Sequence, residues 1–347
     1  MVDSVRVGLV GAGGFSRRRL LPGLLAMPGV ELTAVANRTL ASAQRVALEF
    51  EIPTSMADWR DVVTSTDVDA VVIGTEPYFH HEAVMAALKA GKHVLCQTRM
   101  ATSVVQAREM LAQADASGVH GMLVPSGSYL RGRRYVKYLL ETGYVGRVHQ
   151  VFAYHLVANY ADGDAPLHRR QDHRAFGAIN PLHLGIDWDV LRPWFGDPER
   201  LLAWGKAFTP QRVDAATADV VNVEMPDAIT VIAEMPGGAT VTCVQSGVAH
   251  FGDERIDIYG DEGTITYSRD AGLQGGHVGD DALAGIAIPD DFVDEWKAEE
   301  EFIALVRGEI DAPPGGISFG DGVKNIEFLE AANRSVAAGG WVALTAD

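Results

Sequence analysis

The N-terminal segment VRVGLVGAGGFSRRRL, residues 5–20, constrains the fold more than any other stretch of the chain. Its apolar strand pattern runs directly into a glycine-rich turn that opens a helix. In such a unit the first glycine permits a tight turn, the second lets the backbone approach a pyrophosphate, and the phosphates rest on the helix N-terminus. The pattern therefore predicts a dinucleotide site in which a serine takes the third small position. Its residues are Gly11, Gly13, Gly14, Phe15 and Ser16.

The end of the second predicted strand indicates which dinucleotide the site prefers. The strand ELTAVAN ends at Asn37, and Arg38 follows it. NAD-binding domains usually carry an acid here, which holds the ribose 2′-hydroxyl. Without that carboxylate a 2′-phosphate is not repelled, and a guanidinium can bind it. The pair favours NADP over NAD, although Arg38 is also explained as a solvent-exposed residue at the start of a helix.

The rest of the chain separates into two halves with different strand patterns. In the first half, strands that are apolar throughout, such as AVVIGT at 70–75, alternate with helices. That order is typical of a parallel sheet covered by helices on both faces. Later runs, such as 148–157 and 220–234, are alternating or β-rich, which favours a largely antiparallel sheet. We predict an α/β protein with a Rossmann dinucleotide-binding domain at 1–124 and an α+β domain at 125–347.

The composition argues against several classes of function. A formal net charge of −17 at pH 7 disfavours binding to nucleic acid, whose phosphates would be repelled. No apolar run reaches about 18 residues, so neither a transmembrane helix nor a membrane partner is expected. The N-terminus lacks the regions of a signal peptide, and two cysteines make no disulfide framework, so a cytoplasmic location is expected. No CxxC or HExxH motif is present, and no metal site is predicted.

Four stretches, spread over nearly the whole chain, resemble a known family. They are VRVGLVGAGGFSRRRLLPGLLAMPGVELTAVANR, VDAVVIGTEPYFHHEAVMAALKAGKHVLC, LLETGYVGRVHQV and SFGDGVKNIEFLEAANRSVAAGGWVAL. The family that they resemble is Gfo/Idh/MocA, named for glucose–fructose oxidoreductase and inositol dehydrogenase. In its Thr-Pro-x-x-x-His pattern Thr75 and His80 match, while Glu76 replaces the first proline. By this resemblance Thr75, Pro77 and His80 line the cofactor channel.

The resemblance also carries expectations about activity and assembly. It implies pyridine-nucleotide chemistry on a sugar, a sugar derivative or a cyclitol. It further implies that the second domain binds the substrate and that its open sheet forms the interface of a homodimer or homotetramer. We also expect the last helix to pack back on the Rossmann domain.

The first departure from the family follows GKHV. The usual Glu-Lys-Pro is replaced by Gln97, Thr98 and Arg99, which the resemblance places at the nicotinamide end of the cofactor. The family lysine polarises or deprotonates the reacting hydroxyl. Thr98 is a poor base at neutral pH, and Arg99 can stabilise an alkoxide but cannot accept its proton. The usual base is therefore absent, and Thr98 and Arg99 remain candidate catalytic residues only in other roles.

The second departure lies in NPLHLGIDWDVLRPWFGDP, residues 180–198. The family usually has Asp-x-Gly-x-His-x-x-Asp, followed by a helix and Gly-Asp. Aligned on the closing Gly-Asp, the segment puts Ile186 at the histidine and Asp189 at the final acid; aligned on Gly185, it puts Asp187 at the histidine. Neither alignment supplies a histidine at that position.

His183 and Asp187 are the residues most suited to replace the missing pair. They stand at i and i+4, so on a helix they share a face, and Asp187 can fix the tautomer of His183 or raise its pKa. We predict that His183 does acid–base work and that Asp187 and Asp189 support or orient it. The alternative is that His183 caps or packs the segment and Asp187 is an ordinary acid of a first helical turn.

Two further residues, Tyr129 and His155, are weaker candidates for binding substrate, and ordinary packing or surface exposure is the favoured explanation for each. A basic loop at 168–174 contains two histidines and three arginines. It can bind substrate hydroxyls or a carboxylate, the alternative being a solvated loop.

The leading hypothesis is therefore an NAD(P)-dependent dehydrogenase or reductase with an atypical catalytic site. Loss of both the lysine and the histidine leaves two alternatives open. One is a dinucleotide-binding sensor or accessory protein without redox turnover. The other is an enzyme that retains its cofactor for a redox-neutral elimination or epimerisation.

Overall fold

A computed structural model of the chain describes residues 4–125, 130–177, 182–268 and 270–344. The chain divides into two compact units. The first comprises Met1–Ser126 and Trp296–Ile326, and the second comprises Gly127–Glu295 and Glu327–Asp347.

The strands and helices are numbered along the chain. The strands are β1 (Val5–Val10), β2 (Val30–Ala36), β3 (Thr54–Met56), β4 (Ala70–Ile73), β5 (His93–Gln97), β6 (Gly121–Val124), β7 (Val148–Leu156), β8 (Arg200–Lys206), β9 (Gln211–Val213), β10 (Val220–Asn222), β11 (Ala228–Glu234), β12 (Thr240–Ser246), β13 (Glu254–Gly260), β14 (Gly263–Ser268), β15 (Gly272–His277), β16 (Ala284–Gly285), β17 (Ile317–Ser318) and β18 (Val342–Ala343). The helices are α1 (Leu21–Leu25), α2 (Leu40–Glu49), α3 (Trp59–Thr64), α4 (Pro77–Lys89), α5 (Val104–Ser117), α6 (Arg133–Glu141), α7 (His173–Phe176), α8 (Leu184–Phe195), α9 (Ala298–Arg307) and α10 (Phe319–Ala338). A π-helical turn, Ser16–Leu20, leads into α1.

The first unit is built on a seven-stranded sheet in the order β17-β6-β5-β4-β1-β2-β3. The first six strands of the chain are parallel, and β17 pairs antiparallel with β6 at one edge. The strand order reverses between the adjacent central strands β4 and β1, and this is the doubly wound arrangement in which ligands bind at the carboxyl ends of the strands. All four residues of β4 are buried, as expected for a central strand covered on both faces.

Side-chain caps fix where the helices of this unit begin. Thr39 accepts a hydrogen bond from the Ser42 N–H at the start of α2, and Ser103 accepts one from the Gln106 N–H at the start of α5. These caps satisfy amide groups that have no partner inside the helix. They set the helix starts directly after the loops that leave the strands.

Residues 296–326 belong to the core of the first unit, whereas the sequence placed them in the second domain. Phe302 and Ile303 of α9 are fully buried in the same apolar cluster as Leu9 and Leu20. Burial of a phenylalanine or isoleucine side chain contributes about 1.5–3 kcal/mol, which favours this placement of α9.

The second unit is built on a nine-stranded sheet in the order β16-β15-β14-β13-β7-β12-β11-β8-β18. All neighbours are antiparallel except β7 and β12, which are parallel. Burial alternates along β11 and β12, so one face of the sheet is covered and the other is more open. A separate two-stranded sheet joins β9 and β10. The predicted α/β class, with a parallel sheet followed by a mostly antiparallel one, is confirmed.

The run at 220–234 was predicted as one β-rich stretch, and the structure divides it into β10 and β11. The break contains Pro226, which has no N–H for a strand ladder, and Asp227, whose carboxylate accepts the Phe208 and Thr209 N–H groups at 2.7 and 2.9 Å. The strand is therefore interrupted here, and the Asp227 carboxylate provides hydrogen-bond acceptors for the backbone of the loop at Phe208 and Thr209.

Helix α8 is fixed within the second unit by an aromatic stack. The ring of Trp188 is fully buried and lies 3.9 Å from the ring of Phe328 on α10, nearly parallel to it. This contact orients α8, on which Asp187 and Asp189 lie. Within the described ranges, no helix is long and apolar enough to cross a membrane.

Candidate functional site

The glycine turn after β1 has the geometry that the sequence pattern predicts. Gly11 has a φ of +84°, which favours glycine, and its N–H donates to the Ala36 carbonyl of β2 at 2.8 Å. A Cβ at Gly11 would lie 2.5 Å from Cγ2 of Thr75. The backbone of the turn therefore lies directly against the loop that follows β4.

Gly13 faces open space on the same turn. A Cβ built there would meet only the Gly74 carbonyl oxygen, at 3.8 Å, whereas a Cβ on Gly74 would collide with the Ser16 hydroxyl. Ser16 thus fits the third small position, because it packs against a second glycine. The open side of Gly13 leaves room for a ligand to approach the amides at the start of the π-helical turn.

Gln97 and Thr75 present polar groups beside this turn. The Gln97 side-chain amide donates to the Ser16 hydroxyl at 3.4 Å. The Thr75 hydroxyl is buried and has no hydrogen-bond partner among the described residues. A buried hydroxyl without a partner is costly, so a ligand that bonds to it gains affinity. The open glycine turn and this hydroxyl fit a bound dinucleotide.

His80 links two loops at the carboxyl ends of the parallel strands. Its ring is fully buried, with Nδ1 2.8 Å from the Arg99 carbonyl and Nε2 3.1 Å from the Thr75 carbonyl. Burial lowers the pKa of His80, while the hydrogen bonds to backbone carbonyls act in the opposite direction. Pro77 is buried at the first position of α4. Both residues position the loops rather than presenting a free polar group.

Gln97 is the last residue of β5, and Thr98 and Arg99 follow it in a compact turn. Arg99 is 7% exposed, and the peptide between Thr98 and Arg99 is cis. Burial of Arg99 and the contact of its carbonyl with His80 show that this residue is part of the folded unit rather than a surface arginine.

Asn37 at the end of β2 is held by the glycine turn. Its side-chain oxygen accepts the Ala12 N–H at 2.7 Å, and its NH₂ donates to the Ser42 hydroxyl at 3.2 Å. Arg38 beside it is exposed. The position that carries an acid in many NAD-binding domains therefore holds an amide that is already bonded to the protein, next to a solvent-exposed guanidinium.

Arg18, which the sequence argument did not single out, lies beside the glycine turn. Its guanidinium lies 3.0 Å from where a Cβ on Gly14 would stand, so it reaches back over the glycine turn. Its neighbours point elsewhere, since Arg17 pairs with Glu49 and Arg19 lies over the ring of Trp296. Phe15 packs edge-on against that same ring at 5.9 Å.

The second unit assembles a polar cluster on three neighbouring strands. His155 of β7 is paired in register with Gln245 of β12 on one side and with Glu254 of β13 on the other. Directly paired residues point to the same face of a sheet, so the three side chains form one row. His155 and Gln245 are buried, and the His155 Nδ1 lies 4.0 Å from the Glu254 carboxylate.

His183 and Asp187 complete this cluster from the start of α8. The His183 ring stacks on the His155 ring with centroids 3.9 Å apart. Its backbone N–H donates to the Gln245 side-chain oxygen at 3.3 Å, and the Gln245 NH₂ donates to the Asp187 carboxylate. Burial raises the pKa of Asp187 to about 7, against the opposing effect of the hydrogen bond from Gln245.

The tautomer of His183 follows from its other neighbour. Arg170 Nη1 lies 3.0 Å from His183 Nε2. A guanidinium has only donors, so Nε2 accepts and the proton of the neutral ring lies on Nδ1. Thus the structure places His155, which the sequence had singled out separately, beside His183 and Asp187, which the sequence had paired. Their linking partner is Gln245, rather than a direct bond between His183 and Asp187 side chains.

The sequence argument missed Gln245 and Glu254 and did not single out Arg170 within its loop. One signal was present for Gln245: a polar residue at an inward position of the alternating strand TVTCVQS. Asp189 is partly buried on α8, and Tyr129 lies outside the described residues. Among the described residues, no group of three or more histidine, cysteine or acidic side chains could hold a metal ion.

The fold and the glycine turn define a dinucleotide-binding protein with a Rossmann domain, and comparisons identify its family. Residues 5–124 match the oxidoreductase family with an NAD-binding Rossmann fold, GFO_IDH_MocA. Residues 133–266 match the GFO/IDH/MocA C-terminal domain. The chain belongs to the Gfo/Idh/MocA oxidoreductase family, with both domains represented.

The relatives of known activity are distant. Levoglucosan dehydrogenase from Pseudarthrobacter phenanthrenivorans is 25% identical over 77% of this chain and 74% of its own length. Bovine trans-1,2-dihydrobenzene-1,2-diol dehydrogenase is 27% identical over 69% of this chain and 66% of its own length. The 3-reductase for a dTDP-didehydro-dideoxyglucose from Saccharopolyspora spinosa is 30% identical, but over only 44% of this chain and 46% of its own length. The chain matches between 35% and 66% of the length of the first three curated relatives.

Solved structures agree over nearly the whole fold. Levoglucosan dehydrogenase in complex with NADH and L-sorbose has a TM-score of 0.85 at 22% identity, covering 99% of this chain and all of that one. The aldose–aldose oxidoreductase from Caulobacter crescentus, complexed with glycerol, has a TM-score of 0.79 at 20% identity, covering 98% and 99% of the two chains. At these identities the likeness establishes the fold.

Proposed function

We propose that the protein is an NAD(P)-dependent oxidoreductase that acts on a hydroxyl or carbonyl of a sugar, a sugar derivative or a cyclitol. The observation that carries this proposal is Asp187, a carboxyl group held by Gln245 beside two stacked imidazoles, with a pKa raised to about 7. A group that titrates near neutral pH can take and return a proton during turnover. Family membership and the named activities of the relatives support the substrate class.

In this proposal, Asp187 accepts the proton of the reacting hydroxyl during oxidation and returns it during reduction. When bound, the nicotinamide supplies hydride transfer. Gln245 holds the Asp187 carboxylate in place, and the His155–His183 stack forms the adjoining wall. This assigns the titrating role to Asp187 and a supporting role to His183, which reverses the roles predicted from the sequence. Thr98 and Arg99 contribute no proton acceptor. Asp189 remains a candidate for orienting the substrate.

Gly11, Gly13, Gly14, Phe15 and Ser16 form the proposed pyrophosphate site, with Thr75 and Gln97 beside it. Arg18 lies over Gly14 and adds a positive charge to this site. We propose NADP(H) as the preferred cofactor, because Asn37 replaces the usual acid and Arg38 is free to pair with a 2′-phosphate. Pro77 and His80 act by positioning the loop that contains Thr75.

Turnover assays test the proposal directly. The protein is incubated with NADP+ or NAD+ and a panel of aldoses, uronic acids and cyclitols, while the absorbance of reduced nicotinamide is followed. Reduction of the cofactor by members of the panel supports the oxidoreductase. Cofactor binding without any turnover favours the sensor or accessory protein. The presence of Thr98 where the family has its lysine also supports that alternative. Substrate conversion without net cofactor reduction favours a redox-neutral enzyme.

We also propose a homodimer or homotetramer that assembles through the open face of the nine-stranded sheet, in a cytoplasmic protein. One row across this face comprises Trp204, Thr230, Val244 and Tyr154, paired in register on four neighbouring strands. Trp204 is 57% exposed, and a second copy of the chain would cover it. Light scattering of the wild type and of Trp204→Glu tests this: the proposal predicts an oligomer that the substitution weakens.

A further inference from the structure

Arg170 places a positive charge in the second unit. The proposed reaction does not use that charge. Arg170 belongs to the short 3₁₀ turn Arg169–Gln171 and is partly buried, with Nη1 directed at His183 Nε2. No carboxylate of the described residues forms an ion pair with it. A partly buried cation that faces a neutral ring lacks a compensating charge, which is unfavourable unless an anion binds there.

Two other arginines of the second unit have hydrogen-bond acceptors within the protein. Arg174, four residues further on, pairs with Asp172 and Asp214, both at 2.8 Å. Buried Arg212 donates to three backbone carbonyls, those of Tyr160, Asp162 and Ala165. The chain has a net charge of −17 and therefore many carboxylates. The carboxylate of the polar cluster, Glu254, lies against His155 and not against Arg170.

The turn that contains Arg170 is held in place by hydrogen bonds of the residues on either side of it. The side-chain NH₂ of Gln171 donates to the fully buried Asp227 carboxylate at 2.7 Å, and the His168 ring accepts the Arg170 N–H at 3.2 Å. Asp227 is itself fixed by the N–H groups of Phe208 and Thr209. The backbone at Arg170 is therefore held before any ligand arrives, which lowers the entropic cost of binding.

We propose that Arg170 binds a carboxylate of the substrate, so that the protein acts on sugar acids or carboxylated cyclitols in preference to neutral polyols. This inference rests on the proposed function, because it names the substrate class of the same site. One guanidinium nitrogen faces His183, and the remaining donors are suited to a planar carboxylate. In this proposal the turn that contains Arg170 binds the acid group of the substrate, and the polar cluster accepts and returns the proton.

The test compares matched substrates that differ only in the acid group. The pairs are glucose and glucuronate, galactose and galacturonate, and mannose and mannuronate, assayed with wild type, Arg170→Met and the control Arg147→Met, an exposed arginine paired with Asp261. The expected result is a wild-type kcat/KM about tenfold or more higher for the acids, lost in Arg170→Met and kept in Arg147→Met. Glucose 6-phosphate is the further arm: an Arg170-dependent preference for the phosphate alone overturns the carboxylate assignment.

Binding measurements separate this inference from the proposed reaction. Thermal unfolding is recorded with and without each sugar and each acid, and the unfolding temperature without ligand shows whether the variant is folded. Arg170→Lys serves as the second variant, and it should keep part of the preference. Stabilisation by the acids that disappears in Arg170→Met supports the inference even where no turnover is found. Turnover of neutral and acidic members at equal rates, unchanged by Arg170→Met, overturns it while the oxidoreductase proposal stands.

Discussion

The side-chain amide of Gln245 bridges two positions at the start of α8. Its NH₂ donates to the Asp187 carboxylate, and its oxygen accepts the His183 N–H at 3.3 Å. Gln245 and Asp187 are 58 residues apart in the chain. The hydrogen bond stabilises the ionised carboxylate and therefore opposes the effect of burial, which raises the pKa of Asp187 to about 7. This balance gives several measurable consequences.

Replacing Asp187 by asparagine should remove the proton acceptor while keeping the contact with Gln245. Oxidation requires the carboxylate, so the wild-type kcat/KM should rise with pH through about 7, where Asp187 titrates. We expect Asp187→Asn to lose about a hundredfold or more in turnover and to lose this rise. Initial rates from pH 5 to pH 9 measure both effects. The control is Asp197→Asn, two residues beyond the same helix, and an unchanged pH profile in Asp187→Asn contradicts the assignment.

Gln245→Leu should change the pH profile in a defined direction. Because the hydrogen bond from Gln245 lowers the pKa of Asp187, its loss should raise that pKa. The rising limb of the oxidation rate then moves to higher pH, and activity recovers in alkaline buffer. A purely structural effect of the substitution would lower the rate at every pH and leave the limb in place.

Asp187 should also affect stability with a predictable sign. Its pKa in the folded protein is about 7, above the value of about 3.9 for an unfolded chain, so the folded state binds the proton more tightly. Stability from this group is therefore lost as pH rises from about 4 to 7. We expect the melting temperature of Asp187→Asn to exceed that of wild type by about 3 °C or more at pH 8, and the difference to shrink at pH 5. Calorimetry at the two pH values measures it, and a difference that grows at pH 5 is the contrary result.

The two glycines of the dinucleotide turn should respond differently to alanine. Gly11→Ala places a Cβ 2.5 Å from Thr75 at a φ of +84°, so it should destabilise the fold. Gly13→Ala meets only the Gly74 carbonyl oxygen at 3.8 Å, so it should leave the melting temperature nearly unchanged. Its methyl group faces the proposed pyrophosphate and should weaken cofactor binding about tenfold or more, or about 1.4 kcal/mol. Fluorescence titration with NADPH measures the loss. Normal affinity in Gly13→Ala would place the phosphates elsewhere.

Cofactor preference should depend on Arg38. We expect wild type to bind NADPH more tightly than NADH, and Arg38→Ala to lose about tenfold in NADPH affinity with little change for NADH. Arg45→Ala, on the exposed side of α2, is the control for a general loss of surface charge. Tenfold tighter binding of NADH by wild type contradicts the preference for NADP.

The sequence by itself determined the parts of this protein whose signals are local. The glycine turn, the run of buried residues in central strands such as β4 and the alternation in the second half each specify structure within a few residues. Gly11 is required by the backbone conformation of the turn itself, so it is visible in one short motif. For the same reason the α/β class and the Rossmann domain were predictable.

Only the tertiary structure decided which residues meet. His155 and Gln245 become neighbours because β7 and β12 pair in parallel, a long-range pairing that alternation along either strand does not specify. The pKa of Asp187 depends on that burial and on a partner far away in sequence, so its spacing of four residues from His183 could not indicate the shift. Likewise, α9 joined the first unit because its apolar face fits that core, and such a fit is a property of the folded surfaces.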